Sequence, residues 1–328
     1  MSPSLRFGIL GAARIAPMAL VRPARAVEGV EIVAVAARDE ARARKFARAQ
    51  RIPRVHPSYA ALLTDPEIDA VYVPLPNSLH AEWTIRALEA GKHVLCEKPL
   101  ASNAAEAARM VEAAERSGRV LVEAFHWRHH PLAARMRAIV ASGELGEIRH
   151  VEATMCIPLP IPGDIRYRLD LAGGATMDTG CYTLDVVRFL AAAEPQVVSA
   201  EARLSSPRVD RWMRADLRFA GGRTGRITCA LFSSTLLDIS ARVVGSRGEL
   251  RVFNPIGPHI YHRLRVITGG SSRRERIPGD ATYTHQLRDF IATVRGTRPA
   301  DPSLADSLGN MRAIDAVYAA SGLATRGS

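Results

Sequence analysis

The chain of 328 residues has only four cysteines, Cys96, Cys156, Cys181 and Cys229, and they are widely spaced. With no Cys-x-x-Cys motif and no Cys/His cluster, neither a disulfide framework nor a zinc site is expected, and reduced thiols are the default. No apolar run approaches the ~18 residues of a membrane span, and Met1 leads to a strand by Leu5 without the charged-then-apolar pattern of a secretory signal. A cytoplasmic chain with no membrane partner is the expectation. Despite a formal charge of +11 there is no basic block interleaved with aromatics: arginines and lysines such as Arg42, Arg44, Lys45 and Arg48 are dispersed through helical segments. Nucleic acid is therefore not expected as a partner, and the charge offers at most some attraction for an anionic cofactor. The pair His129-His130 lacks an acidic residue at ligand spacing, so no metal is expected either.

What is present is an ordinary globular composition, 47% hydrophobic and 23% charged, in a chain longer than one core usually serves. Residues 1–122 alternate short β-branched runs (Leu5 to Leu10, Glu31 to Ala36, Ala70 to Val73, Val94 to Cys96, Val120 to Val122) with Ala-rich helical segments (Ile15 to Val27, Glu40 to Gln50, His80 to Ala90, Ala104 to Ser117). Such alternation predicts βαβ units in a doubly wound parallel sheet, an α/β domain. Residues 123–328 read differently. Helices over Leu132 to Ala141 and Tyr182 to Ala192 flank strand-like stretches from Ile148 to Ile267, and helical regions Tyr283 to Val294 and Leu304 to Gly322 follow. An α+β domain with a large, mostly antiparallel open sheet is expected there.

The first strand runs into Gly8-Ile9-Leu10-Gly11-Ala12-Ala13-Arg14-Ile15, a loose form of the glycine-rich turn of Rossmann dinucleotide sites. Its use is a tight turn in which Gly11 lets backbone amides approach a pyrophosphate at a helix N-terminus. The second strand exits on Ala36, Ala37 and Arg38 where NAD-selective sites carry an acid. An arginine suits a 2′-phosphate through charge-assisted forked bonds, so NADP is favoured over NAD, with Asp39 read as the cap of the next helix. After the strand ending at Val73 comes Pro74-Leu75-Pro76-Asn77-Ser78-Leu79-His80. Ser78 or Asn77 can cap the following helix, and Asn77 can also contact the cofactor.

Gly91-Lys92-His93-Val94-Leu95-Cys96-Glu97-Lys98-Pro99 ends a buried strand on a charged pair. In open α/β sheets the carboxyl end faces the ligand crevice, and Pro99 holds Lys98 extended. Further on, Gly173-Gly174-Ala175-Thr176-Met177-Asp178-Thr179-Gly180-Cys181-Tyr182 places Asp178 and Tyr182 four apart, about one turn along one face of a helix start.

In this order these motifs resemble the Gfo/Idh/MocA oxidoreductase family over essentially the whole chain. Many members carry a histidine four residues after the aspartate. Tyr182 stands there instead, as in the glucose-fructose oxidoreductase, xylose dehydrogenase and dihydrodiol dehydrogenase branch. The resemblance implies hydride transfer between a nicotinamide and a carbinol or carbonyl carbon of a sugar, polyol or related hydroxy compound. Lys98, Tyr182 and Asp178 are its catalytic candidates: a free tyrosine titrates near 10, and a nearby Lys98 ammonium favours its ionised form. The cofactor-binding candidates are Gly8, Gly11, Ala12, Ala13, Arg14, Ile15, Ala37, Arg38, Leu75, Pro76, Asn77, His80, Glu97, Lys98 and Arg128. Lys98, His126, Trp127, Arg166, Arg168, Asp178 and Tyr182 are the substrate candidates, with packing an equal reading for Trp127. Two other classes share the pattern: an NAD-assisted glycoside hydrolase of the same fold and a non-catalytic NADP-binding sensor. The open sheet argues for a homodimer or homotetramer through the second domain.

Overall fold

The computed structural model describes residues 3–161 and 163–327. Contacts divide the chain into two units. Met1–Ala101, Ala105–His126 and Tyr283–Leu308 form the first, and Ser102–Ala104, Trp127–Thr282 and Gly309–Ser328 the second. A linear division at residues 122 and 123 has no place for this return of the chain to its first unit. The cause lies in the helix Thr282–Val294, whose Leu287, Phe290 and Ile291 join the same buried cluster as Phe7, Leu20, Val35, Tyr72 and Leu95.

The first unit is built on six parallel strands: β1 (Leu5–Leu10), β2 (Val30–Ala36), β3 (Arg54–His56), β4 (Ala70–Val73), β5 (His93–Cys96) and β6 (Leu121–Glu123). Their order, β3-β2-β1-β4-β5-β6, is that of the doubly wound dinucleotide fold. Burial explains the apolar runs: every residue of β4, and Val94, Leu95 and Cys96 of β5, is shielded on both faces. Sequence reading missed β3 and the short helix Tyr59–Leu63, which Ser58 caps by accepting from the Ala61 amide at 3.0 Å. The helix expected over Ile15 to Val27 begins instead as a π-turn, Pro17–Val21, in which the Arg22 amide reaches the Pro17 carbonyl, before an α-helical turn Arg22–Ala26. Pro23 has no amide to give the i−4 carbonyl. The wider ladder accommodates that loss.

In the second unit, β7 (Ile148–Cys156), β8 (Gln196–Ser206), β9 (Val209–Arg218), β10 (Thr224–Ala230), β11 (Asp238–Gly245), β12 (Gly248–Phe253), β13 (Arg263–Thr268) and β14 (Ser271–Glu275) form one sheet ordered β14-β13-β12-β11-β7-β10-β9-β8. Only the β7–β10 pair is parallel. Alternation sets its faces: Met213, Ala215, Ile227, Val151, Val243, Val252 and Val266 are buried, beneath a helix Cys181–Ala191 that is itself buried at every position. The opposite face is polar. Register places Arg242, Arg251, Arg265 and Arg274 directly opposite one another across β11 to β14. All four cysteines are free and buried, and burial pushes the Cys156 thiol up to about 11.

Candidate functional site

The turn after β1 is made by Gly11, whose φ of +107° lies in the left-handed region. Its amide donates to the Ala36 carbonyl at 2.7 Å, and a Cβ there would stand 3.0 Å from Leu75 Cδ2. The π-turn that follows opens at Pro17, which has no amide, and the Met18 and Ala19 amides donate to the Ile15 carbonyl at 3.0 and 2.9 Å, so a pyrophosphate would be met by the backbone between Gly11 and Ile15. Ala12 is buried, Ala13 and Ile15 are half-buried and Arg14 is exposed. Gly8 has another purpose than the one expected: it lies inside β1, where a Cβ would come within 2.6 Å of Leu62. It serves packing.

At the end of β2, Ala37 is buried and Arg38 exposed. Asp39 accepts from the Arg42 amide and so caps the helix Glu40–Gln50. Arg42 itself was missed: its guanidinium donates to the Ala12 carbonyl at 3.0 Å, tying the helix to the glycine turn. Tyr59 also joins this corner, its hydroxyl 3.8 Å from where a Gly11 Cβ would stand. Burial pushes its phenol up, against the opposing charges of Arg38 and Arg42. Only the three-residue β3 brings Tyr59 here, and nothing in its local pattern announced that.

Leu75 is buried, and Pro76 and Asn77 are half-buried at the exit of β4. A 3-10 turn Asn77–Leu79 precedes the helix His80–Glu89, and the cap positions of the two fall on Pro76 and Leu79, not on Ser78 or Asn77. His80, a cofactor candidate, binds two backbone carbonyls. It is fully buried, with Nδ1 2.9 Å from the Pro99 carbonyl and Nε2 2.8 Å from the Leu75 carbonyl, and so staples the exits of β4 and β5 together. Burial pulls its pKa down, the two carbonyls oppose this, and the Lys98 charge adds to the depression.

At the exit of β5, Glu97 Oε1 accepts from the buried Tyr72 hydroxyl at 2.6 Å, and Oε2 accepts from the Lys98 amide at 3.3 Å. Lys98 is half-buried, and its peptide bond to Pro99 is cis. Leu100 follows, its amide donating to Glu123 at 2.8 Å. His126, expected at the substrate, is 6% exposed, with its ring 4.1 Å from that of Tyr283.

In the second unit Asp178 sits in a π-turn, Thr176–Gly180, that precedes the helix carrying Tyr182. The wider turn changes the angle between the two from the α-helical one that a spacing of four implies. Arg166 Nε holds Asp178 at 3.0 Å, and its Nη1 reaches Asp164 at 3.1 Å. The Asp178 charge is the main reason the guanidinium is still harder to deprotonate than usual. Tyr182 is 5% exposed. Arg168, by contrast, is exposed and paired with Asp170. Trp127, a substrate candidate for which packing is an equal reading, is fully buried, donates to Asp185 at 2.8 Å and meets the Phe189 ring edge to face. Arg128, expected at the cofactor, directs Nε and Nη2 to Asp185 at 3.1 and 2.7 Å. Among the described residues, no group of His, Cys, Asp and Glu could hold a metal ion, and no helix is long and apolar enough to cross a membrane.

Residues 5–125 match the family model for the Gfo/Idh/MocA oxidoreductase family with NAD-binding Rossmann fold, and residues 133–251 match that of the Gfo/Idh/MocA C-terminal domain. The chain is 38% identical to an uncharacterized oxidoreductase of Rhizobium meliloti, over 95% of this chain and 96% of that one. It is 35% identical to D-xylose 1-dehydrogenase (NADP(+)) 2 of Haloferax volcanii, over 96% of each. Among solved structures, the 3-ketoreductase KijD10 from Actinomadura kijaniata, in complex with NADP and TDP-benzene, superposes with a TM-score of 0.89 at 31% identity, covering 97% of this chain and 98% of that one. The chain thus belongs to the Gfo/Idh/MocA oxidoreductase family.

Proposed function

We propose that the chain is an NADP(H)-dependent oxidoreductase acting on a carbinol or carbonyl carbon of a sugar, polyol or related hydroxy compound, with the first unit holding the cofactor and the second the substrate. The observation that supports it most is local to one sheet: Gly11, Arg38 and Lys98 leave the carboxyl ends of β1, β2 and β5. That edge is where doubly wound sheets bind ligands. The residues fit a dinucleotide phosphate. Gly11 leaves open a cradle that a Cβ would fill, and Arg38 and Arg42 give cationic character to the corner where a 2′-phosphate would sit.

When bound, the nicotinamide supplies or accepts the hydride. The protein handles the proton and the geometry. In the oxidative direction Tyr182 takes the proton of the reacting hydroxyl while Lys98 hydrogen-bonds its oxygen. Reduction reverses the transfer, Tyr182 returning the proton to the carbonyl oxygen. Asp178, held by Arg166, orients the substrate, and Glu97 steadies Lys98 from behind.

Single-turnover hydride transfer, followed at the reduced-nicotinamide absorbance while sugars are screened, tests this reading. Lys98→Met and Tyr182→Phe should each slow the transfer by about 10²-fold or more, with cofactor affinity nearly intact. Wild-type rates in either variant would remove the roles assigned. We also propose a homodimer or homotetramer formed through the open face of the second sheet. Sedimentation velocity showing a monomer at micromolar concentration would reject it.

A further inference from the structure

The π-turn that carries Asp178 is held by a buried cluster centred on Asp210 of β9. Asp210 is fully buried and accepts four hydrogen bonds: Oδ2 from the Thr176 amide and from Thr176 Oγ1, both at 2.7 Å, and Oδ1 from the Tyr318 hydroxyl at 3.0 Å and from Arg326 Nη2 at 2.8 Å. Thr176 is the first residue of the turn. One oxygen of the carboxylate therefore fastens the turn, and the other is fastened by residues distant in sequence.

Arg326 does more than neutralise Asp210. Its Nε donates to the Gly173 carbonyl at 2.8 Å, and its guanidinium lies 4.1 Å from the centre of the Tyr318 ring. It is 1% exposed. Gly173 and Gly174 lead directly into the turn, and their amides donate to the carbonyls of Arg168 and Arg166, the residues on either side of Tyr167. Gly174 has φ +140°, and a Cβ there would stand 2.2 Å from Asp210 Oδ1 and 2.7 Å from the Tyr318 hydroxyl. Gly174 is required for the carboxylate to come this close, while a Cβ at Gly173 would stand 2.6 Å from the Arg166 carbonyl oxygen. Asn103 secures Arg326 in turn, donating to its carbonyl at 2.7 Å.

We infer that Arg326 is a positioning residue for the reaction: acting through Asp210 and Gly173, it fixes the turn that places Asp178 and Tyr182. A buried carboxylate that loses its cation is left as an uncompensated charge, which is costly unless the surrounding structure moves. With Arg326 gone, Oδ1 keeps only the Tyr318 hydroxyl, the carboxylate is no longer anchored from that side, and the bonds from Oδ2 to Thr176 loosen. Nothing in the sequence near Arg326 marks it. It lies beyond the last helix and reaches the turn through the tertiary structure alone.

This inference rests on the proposed function, and its test has one measurement independent of activity. Hydrogen exchange of the segment 173–182 is compared in wild type, Arg326→Gln and Arg326→Lys at a temperature well below melting, together with kcat and KM for substrate and NADPH. Arg326→Gln is expected to speed exchange of that segment by about tenfold, as for loss of a charge-assisted buried bond. It should lower kcat by about the same factor while moving KM for NADPH less than about twofold. Arg326→Lys, which keeps the charge, should recover most of both. Arg135→Gln, which breaks a different ion pair, should lower the melting temperature and leave kcat alone. Should Arg326→Gln not fold, Tyr318→Phe removes one Asp210 donor while keeping the ring, with smaller changes in the same direction. Unchanged exchange in the variants overturns the clamp, and faster exchange at wild-type kcat overturns its catalytic purpose. If the wild type transfers no hydride, the functional reading falls, and the exchange comparison still decides whether Arg326 holds the turn.

Discussion

Tyr72 donates its hydroxyl to Glu97 over 2.6 Å, from within one parallel strand to the residue just past the end of the next. The bond to the carboxylate is part-buried, and hydrogen bonds to charged groups contribute roughly 1.5–3 kcal/mol. With the second Glu97 oxygen on the Lys98 amide, Tyr72 braces the catalytic candidate from one strand away. Tyr72→Phe should lower stability by that amount and slow single-turnover transfer by about tenfold without weakening NADPH binding. A denaturant titration with stopped-flow absorbance checks both, and an unchanged transfer rate would show that the brace has no catalytic consequence.

Arg38 and Arg42 should separate in their effects. Arg38 is exposed at the exit of β2, whereas Arg42 also holds the Ala12 carbonyl. Losing a forked phosphate contact of about 1.5–3 kcal/mol would make Arg38→Ala cut the preference for NADP over NAD by tenfold or more. Arg42→Ala should do the same and also raise KM for both nucleotides, because the glycine turn loses its tie. The comparison is a pair of KM measurements for each variant. Equal responses to the two nucleotides in Arg38→Ala would reject the assignment.

Acid should weaken the second sheet through Glu275. Hydrogen bonds from Arg135, and then from Arg273, hold its pKa at about 2. An unfolded glutamate titrates near 4.3, so the folded pKa is the lower one. The stabilisation is full above the unfolded value and is lost as pH falls toward about 2. Glu275→Gln should melt earlier than wild type at pH 7, change less between pH 5 and pH 2.5, and converge with it near pH 2. Thermal melts across that range decide the matter. Parallel curves would show that this carboxylate is not the titrating group.

In the arginine row on the open face of the sheet, Arg242 and Arg251 are ion-paired with Glu249, whereas Arg265 donates to the neutral Ser272. Like charges directly opposite on neighbouring strands destabilise by about 0.2–1 kcal/mol per pair. Arg265 faces Arg251 on one side and Arg274 on the other. Arg265→Gln should therefore raise the melting temperature at low salt, and the gain should shrink near 0.15 M, where the screening length is about 8 Å. A drop in melting temperature at low salt would mean that something other than repulsion governs this row.

Several site residues are legible in the amino-acid sequence because their signals are local. Gly11 needs a left-handed backbone, Arg38 replaces an acid at a fixed place, and Lys98 follows a buried run and precedes a proline. Where the local signal misleads, the competing demand comes from elsewhere in the chain. Gly8 makes room for Leu62, His80 joins two strand exits, and Trp127 and Arg128 meet at Asp185, more than fifty residues away. Arg42 and Tyr59 escape notice for the same reason: the contacts that matter are with Ala12 and Arg38 across neighbouring strands.

Sequence by itself determined the alternating first half, the strand-rich second half, the family and the residue types at the ends of β1, β2 and β5, since periodicity and backbone restriction act over a few residues. Tertiary structure decided the return of Tyr283–Leu308 to the first unit, the π-turn beneath Asp178 and the clamp of Asp210 by Tyr318 and Arg326. Each of those depends on burying a charged or apolar group against a partner that lies far along the chain. Local pattern carries no record of such a partner.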